Sequence, residues 1–591
     1  MEFEALHHDA TTRAGVLRLD GQSVATPGIC WYASDRVDPP SNGDADLLLS
    51  QSHDDALSHA GSFFRPLPRQ EPCMPPSYVY PDVMPAELHE HAVAWNRRQA
   101  TDIQVVSARA PDAVDGDATV YVLANARELF SNPRRFVEAV VAVREAVGYH
   151  GVLYTPGLGR PAELALLDYC TVDLVDSLPL VEAARDGLFL SIDGAVPADA
   201  YAALPCRCPG CTDDTGFDGL LAHNYNAALS EMRQVRHAIA AGSLRTLVER
   251  RCQVSPHLLS ILRLLDIGHT GFQEARFPVR GGTVNATPLS LFRPDVERFR
   301  SRVLSRYRKP PSASILLLLP CSAGKPYSRS RSHRRFDEAI GASGNPYATH
   351  RMVVTSPLGI VPIELDAVYL AAHYDISVTG RWSRDEQAVV TGMLDRYLRE
   401  NDYDLVVQHL PDDIASFLDL DAVDTCRGHP TSRDSLTALT DTLREETASY
   451  EGVSWQTRKR EWVAALLCYQ FGSAGLLDDA VVKGRHPRFR VFRDDMQLGM
   501  FVPERGLFSL TLDGAGWLAG LGSYRVDIED FTPLGSVFAV GVVDADPGIR
   551  CGDEVVVLHD GDIRGVGEAT MNGDEMRESE VGEAVKVRHH P

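Results

Sequence analysis

Residues 204–211 read Leu204-Pro-Cys206-Arg-Cys208-Pro-Gly-Cys211, followed by TDDTGFDG, then LLAHNYNAALSEMRQVRHAI over 220–239 and AAGSLRTLV over 240–248. Zinc favours soft thiolate and imidazole donors in a tetrahedron, and Cys206, Cys208 and Cys211 place three thiols on one tight loop. The fourth ligand must come from elsewhere. Apolar residues at Leu221, Tyr225, Leu229, Met232, Val235 and Ile239 have the spacing of an amphipathic helix. That helix carries His223 in its first turns and His237 further on, so either histidine can complete the set; thiols left without one would be reactive or redox-active.

Outward from this segment, the chain alternates between two periodicities. Over residues 1–275, short apolar strands such as Thr119–Leu123 and Gly151–Tyr154 interleave with helical stretches such as Arg134–Val147, which predicts a (β/α) domain built on a parallel sheet or barrel. A Gly/Pro/Thr-rich stretch, Phe277–Pro288, reads as a linker. Over 290–430, Ser314–Leu319 and Asp404–Gln408 resemble buried strands and Glu386–Glu400 a helix, giving an open α/β domain. Residues 431–520 predict a small α+β domain, with a helix around Trp462–Tyr469 and strand alternation at Phe508, Leu510 and Leu512. The last segment, 524–591, alternates at Phe538, Val540 and Val542, then runs from Glu554–Leu558 into an Asp560-Gly561 hairpin turn, as expected of a compact β-barrel.

A chain of 591 residues exceeds one hydrophobic core, so a multidomain α/β protein is expected. Its 81 acidic and 58 basic residues give a net charge of −23, and only Lys309, Lys325, Lys459, Lys483 and Lys586 are lysines. This balance resembles a haloarchaeal protein, whose acidic coat keeps it soluble in strong salt. The first residues lack a basic and apolar leader, and no apolar run is long enough to span a bilayer, so a cytoplasmic protein with no membrane contact is expected. The 11 cysteines are thinly spread apart from the one tight group, which excludes a secreted disulfide scaffold. Against the acidic trend, Arg298–Arg335 holds Arg and Lys but no Asp or Glu. It is read either as a contact for RNA phosphate or as a solvated basic helix around Arg298–Lys309.

Directly after Ser314–Leu319 comes PCSAGKPYSRSRSH over 320–333. Strand ends of open α/β sheets collect functional groups. This one gathers the thiol of Cys321, the amine of Lys325, the phenol of Tyr327, the hydroxyl of Ser330 and the imidazole of His333, beside Arg329, Arg331, Arg334 and Arg335. Cationic neighbours bias a thiol toward the nucleophilic thiolate. The alternative is a phosphate-binding loop in which Lys325, Arg329 and His333 hold RNA and Cys321 only packs.

The stretch 204–248 resembles archaeal tRNA-guanine transglycosylases in its Cys-x-Cys-x-x-Cys run, His223-Asn224 and the tail Gly242-Ser-Leu244-Arg-Thr-Leu247-Val248. The resemblance implies a structural zinc on Cys206, Cys208, Cys211 and His223, and selects His223 over His237. Val172–Ser177 (VDLVDS) resembles that family's nucleophile segment, mapping the nucleophile onto Asp176, which is equally read as an inherited residue at a strand end. The family's base-reading Asp-Ser-Gly-x-Phe-Gln segment has no counterpart between Thr26 and Pro85.

The pattern Pro-Cys-x-x-x-Lys-Pro-Tyr-x-x-Ser-x-x-His resembles archaeosine synthases, as do TSPLGIVPIE over 355–364 and VTGRWS over 378–383. Val526–Phe531, Gly541–Pro547 and Met576–Arg588 resemble a PUA domain, implying RNA contact through Lys586 and Arg588, or else a structural barrel without one. Together these resemblances imply a tRNA bearing 7-cyano-7-deazaguanine at position fifteen of its D-loop. Its nitrile would be carried toward archaeosine by an amine donor, free lysine or ammonia from glutamine, with Cys321, Lys325, Tyr327, Ser330, His333 and Asp176 as candidate catalytic residues. Two other functions stand beside it: a transglycosylase inserting the deazaguanine base, and a non-catalytic tRNA-binding subunit. A radical-SAM partner protein and a homodimer are the expectations for assembly.

Overall fold

In a computed structural model, all residues are described except 20–21, 34–36, 41–46, 50–57, 60–63, 66–83, 99, 101, 115, 202–204 and 213–215. The stretch between Thr26 and Pro85, where the base-reading segment is missing from the sequence, lies largely outside the described residues. The chain forms two compact units: residues 1–278 with 537–551 and 570–584, and residues 279–536 with 552–569 and 585–591. No helix among the described residues is long and apolar enough to cross a membrane.

The first unit begins with a three-stranded antiparallel sheet, Glu2–Asp9, Thr12–Leu19 and Gln22–Thr26. A six-stranded parallel sheet follows, in the order Leu47–Leu49, Gly28–Tyr32, Leu174–Asp176, Val152–Tyr154, Val120–Leu123, Ile103–Val106. Every residue of the last four of these strands is buried, which is why Val120–Leu123 and Val152–Tyr154 read as unbroken apolar runs rather than alternating ones. The helix predicted at Arg134–Val147 spans Pro133–Val147, with proline in its first turn and the Asn132 side chain accepting from Arg135 N at 3.3 Å. Four helices, Phe217–Ala240, Leu244–Cys252, Pro256–Gly268 and Thr270–Arg276, close this part of the chain.

In the second unit a five-stranded sheet runs Gly359–Pro362, Thr349–Thr355, Ile315–Pro320, Leu405–Gln408, Val423–Asp424, all parallel except the antiparallel first strand. Ile315, Leu317 and Leu319 pack against Phe336 and Ile340 of helix Arg331–Gly341 and Leu439 and Leu443 of helix Arg433–Thr447. The stretch read as a linker is partly structured: the units part between Pro278 and Val279, but Val284–Ala286 is a strand paired with Tyr374–Ile376.

Helix Trp455–Phe471 and the antiparallel strands Val481–Arg485, Arg488–Arg493, Met496–Val502 and Leu507–Leu510 form the α+β segment. Leu512 does not continue the strand pattern. Thr511 caps a helix over Leu512–Gly520, accepting from Gly514 N at 3.3 Å, so a local side-chain cap overrides the alternation. In the C-terminal module, Glu554–His559 and Asp562–Ala569 form the predicted hairpin, with Asp560 at φ 49 and Gly561 at φ 87. Positive φ at both turn residues matches the twist of the flanking strands. The alternation at Phe538, Val540 and Val542 is interrupted, since a single tight turn, Ala539–Gly541, separates strands Ser536–Phe538 and Val542–Ala545.

Candidate active site and metal-binding cluster

The sequence places Cys321 where the buried strand Ile315–Pro320 ends. Beyond it the chain turns through Ser-Ala-Gly-Lys and a short turn at Tyr327–Arg329 into helix Arg331–Gly341. Two contacts fix this return. The Ser330 hydroxyl accepts from His333 N at 3.2 Å, capping the helix, and His333 Nε2 donates to the Pro320 carbonyl at 3.0 Å. The spacing Ser-x-x-His is thus a cap followed by a brace on the strand end that carries the thiol.

Behind the loop lies a buried hydroxyl network. The Tyr327 hydroxyl bonds to that of Tyr374 and, at 3.3 Å, to Thr355 Oγ1; Tyr374 and Thr355 are 2.6 Å apart. The Cys321 thiol shares the Thr355 hydroxyl, and Lys325 Nζ sits 4.2 Å over the Tyr374 ring. The His333 ring stacks on Tyr327 with centroids 5.3 Å apart.

Burial pushes the Cys321 thiol above its ordinary value, and Lys325 is the cation that opposes the shift. The sequence expectation of a thiol driven to thiolate by its basic neighbours is therefore corrected. Arg329, Arg331, Arg334 and Arg335 are exposed, so of the five basic groups only Lys325 acts on the sulfur. Burial also lowers Lys325, with Cys321 opposing. Desolvation thus favours the neutral form of each group, and each stabilises the charged form of the other. Burial lowers His333 to about 4 and raises Tyr327 far above the usual phenol, so near neutral pH one ring is uncharged and the other keeps its proton.

Beside Cys321 opens a cavity of about 370 Å³, walled by Pro320–Ser322, Phe336, the loop Ile376–Trp382, Asp413 and His429. Sequence reasoning missed Thr355, Tyr374 and Asp413. Thr355 lies in a segment already singled out, and Asp413 follows the C-terminal end of the neighbouring parallel strand Leu405–Gln408, where the strand-end rule pointed.

The remaining candidates divide. Asp176, 3% exposed at the end of strand Leu174–Asp176, accepts from Tyr154 Oη (2.7 Å), Gly157 N (2.7 Å) and Leu178 N (2.9 Å). Burial nevertheless raises it to about 6. Lys586 and Arg588 are both exposed, and the Arg588 guanidinium also pairs with the buried carboxylate of Glu554. The basic run is not one surface either. Arg298 and Arg300 are buried in helix Pro294–Ser305, and Arg300 bonds to the Leu291 carbonyl and Glu297, so a solvated basic helix is not what forms there.

In the first unit, Cys206, Cys208, Cys211 and His223 bring one ligand atom each within 4.8 Å of one another. Cys208 Sγ lies 3.6 Å from both Cys211 Sγ and His223 Nδ1, and Cys211 Sγ is 3.2 Å from that nitrogen. Ligand atoms around a tetrahedral zinc stand roughly 3.6–3.8 Å apart, given bonds of about 2.3 Å to sulfur and about 2.0 Å to nitrogen, so the spacing fits a metal ion. His223 Nε2 donates to the Leu190 carbonyl at 2.8 Å and its ring stacks on Phe189 at 3.8 Å. This leaves Nδ1 free as a lone-pair donor aimed at the thiols. Gly210 is buried against the helix, where a Cβ would meet Gly219 O at 2.4 Å, so the cysteine loop can approach only as glycine. His237 lines a separate cavity; fourteen residues along the helix from His223 is about 21 Å of rise.

Two family models match the chain: a domain of unknown function, DUF5591, over residues 296–443, and the PUA domain over 532–591. The chain is 36% identical over 550 residues to the archaeosine synthase subunit alpha of Methanosarcina acetivorans, covering 87% of each. It is 35% identical over 610 residues to the archaeosine synthase of Haloferax volcanii, covering 99% of each. The tRNA-guanine(15) transglycosylase of Methanothermobacter thermautotrophicus is 29% identical over 77% of this chain and 68% of its own.

Proposed function

The chain belongs to the archaeosine synthase family, and from that premise we propose that it modifies tRNA by adding an amine to the nitrile of 7-cyano-7-deazaguanine at position fifteen of the D-loop. The observation that carries this reading is the pairing of a thiol and an amine, Cys321 and Lys325, at the end of a buried strand and the edge of a cavity. A nitrile carbon is a weak electrophile, and an attacking amine must be neutral. The new C–N bond forms as one C≡N π bond breaks, and a proton passes from the amine to the nitrile nitrogen, giving an amidine. Lys325 stabilises charge developing on that nitrogen. Free lysine, or ammonia from glutamine, is the donor. When Cys321 attacks first, a thioimide forms and the amine then displaces the thiol.

Tyr327 and His333 position the loop and Ser330 caps it. Arg329, Arg331, Arg334, Arg335 and Lys586 supply exposed charge for tRNA phosphate. The three-thiol, one-imidazole donor set fits zinc held by Cys206, Cys208, Cys211 and His223, in a bracing role, for the chain itself supplies all four donors of a closed tetrahedron. A radical-SAM protein acting on the adduct is the partner this scheme calls for. Asp176, with donors on both carboxylate oxygens, holds a strand-end turn.

The test is mass spectrometry of nucleosides from nitrile-bearing tRNA incubated with the purified chain and each donor. A mass gain of one lysine, or of one ammonia where ammonia or glutamine is supplied, is expected, and no gain with any donor would sink the proposal. Full activity in Cys321→Ala would remove the thioimide route and leave direct attack.

A further inference from the structure

Part of the cavity beside Cys321 has no role in amine addition. Its far wall is the loop Thr379-Gly380-Arg381-Trp382 together with Asp413. Gly380 adopts φ +68, a left-handed turn that favours glycine, and a Cβ built there would lie 3.7 Å from Asp413 Oδ2, so the turn lays the loop against this carboxylate. The Asp413 side chain is exposed at the cavity rim, makes no hydrogen bond or ion pair among the described residues, and acts electrostatically on the Cys321 thiol. Trp382 and Phe336 give the walls aromatic faces. A volume of about 370 Å³ suits a ligand the size of a bicyclic base.

An unpartnered carboxylate takes donors, and an aromatic wall takes a flat ring. A guanine-type base supplies both: a ring N–H and an exocyclic amine side by side on one edge, and a π face. Resting on the reading above, we propose that Asp413 reads the base. Its carboxylate accepts the two N–H groups of the deazaguanine edge, Trp382 stacks the ring, and the nitrile on the opposite side of the bicycle is held toward Cys321 and Lys325. The nucleotide must leave its stack to enter. This gives the chain a base-reading group in the second unit, in place of the segment absent between Thr26 and Pro85.

The test compares wild type, Asp413→Asn and Trp382→Ala in single-turnover addition to nitrile-bearing tRNA, with tRNA binding and thermal melting measured alongside. Asp413→Asn is expected to keep tRNA binding within about two-fold, because phosphate contacts dominate it, and to lose addition by about a hundred-fold or more, as sites built to hydrogen-bond a substrate group do. Wild type should also disfavour a tRNA whose deazaguanine lacks the exocyclic amine, and Asp413→Asn should not. A wild-type rate in Asp413→Asn would overturn the proposal. So would an unchanged saturating rate with a raised KM for the amine donor, which would assign Asp413 to the donor instead. If wild type itself adds nothing with any donor, the parent reading fails and this proposal with it; if wild type is active and only the Asp413 results fail, the parent reading stands.

Discussion

Two cysteine-and-histidine loops built from similar parts behave differently in the two units. In both, a histidine Nε2 donates to a backbone carbonyl, Leu190 for His223 and Pro320 for His333. In the first loop the other ring nitrogen meets two thiols at 3.2 and 3.6 Å, so every functional atom converges on one point. In the second, the ring stacks against Tyr327 behind the strand end while Cys321 faces a cavity and Lys325. Convergence leaves room for an ion and nothing else. Divergence toward a cavity leaves room for a substrate.

The sharpest way to break this contrast is to exchange the consequences. Lys325→Ala is expected to lose amine addition by roughly 10²–10⁴-fold, the range for a positioned proton-handling or charge-stabilising group, with melting unchanged. Lys325→Arg should not restore it, because a guanidinium is bulky and does not titrate. Cys208→Ser should do the reverse: elemental analysis would show one bound metal lost per chain. A destabilisation of about 3 kcal/mol would lower the melting of the first unit, with its roughly 300 residues, by about 5 °C. A metal-free Cys208→Ser chain with unchanged melting would show that the cluster braces nothing.

How much of this was legible follows from distance along the chain. Cys206–Cys211 with His223, and Cys321–Lys325, stand out because ligands and reactive groups a few residues apart leave a local signature. Thr355, Tyr374 and Asp413 come from other strand ends and loops, and only strand order brings them to Cys321. Burial is just as hidden. The Arg298–Arg335 run looks like one basic face, but Arg298 and Arg300 are turned into the protein while Arg329, Arg331, Arg334 and Arg335 remain exposed. Strands with both faces covered were readable as apolar runs. Leu512 was not, since a Thr511 cap three residues from its partner competes with the alternation.

The neutral state of His333 yields a smaller effect with a definite sign. Its pKa falls from 6.5 to about 4 on folding, chiefly through burial, with Arg351 also lowering it and Pro320 and Asp366 opposing. Below about 6.5 the unfolded chain binds a proton that the folded chain refuses. The contribution is therefore fully present above that value and is lost as pH falls toward 4, by about 3 kcal/mol. Denaturant titrations from pH 7 to 4 should show this slope in wild type and a shallower one in His333→Gln. Parallel slopes would mean that His333 titrates normally, and it would then belong with the proton-moving groups rather than the scaffold.

Ser330 is the smallest step and the closest to the boundary between the two roles. It sits among the reactive residues by sequence, yet its hydroxyl is used at the start of helix Arg331–Gly341, on His333 N. Ser330→Ala should cost about 1 kcal/mol of stability, the usual value of an N-cap, and lower the rate only as far as the strand-end brace loosens. Ser330→Asp separates capping from chemistry, because a carboxylate accepts the same N–H and favours the positive helix end. Wild-type melting with turnover within a few-fold is expected. Wild-type melting with turnover abolished would move Ser330 out of the scaffold to the side of Cys321 and Lys325, and the brace would then rest on His333 alone.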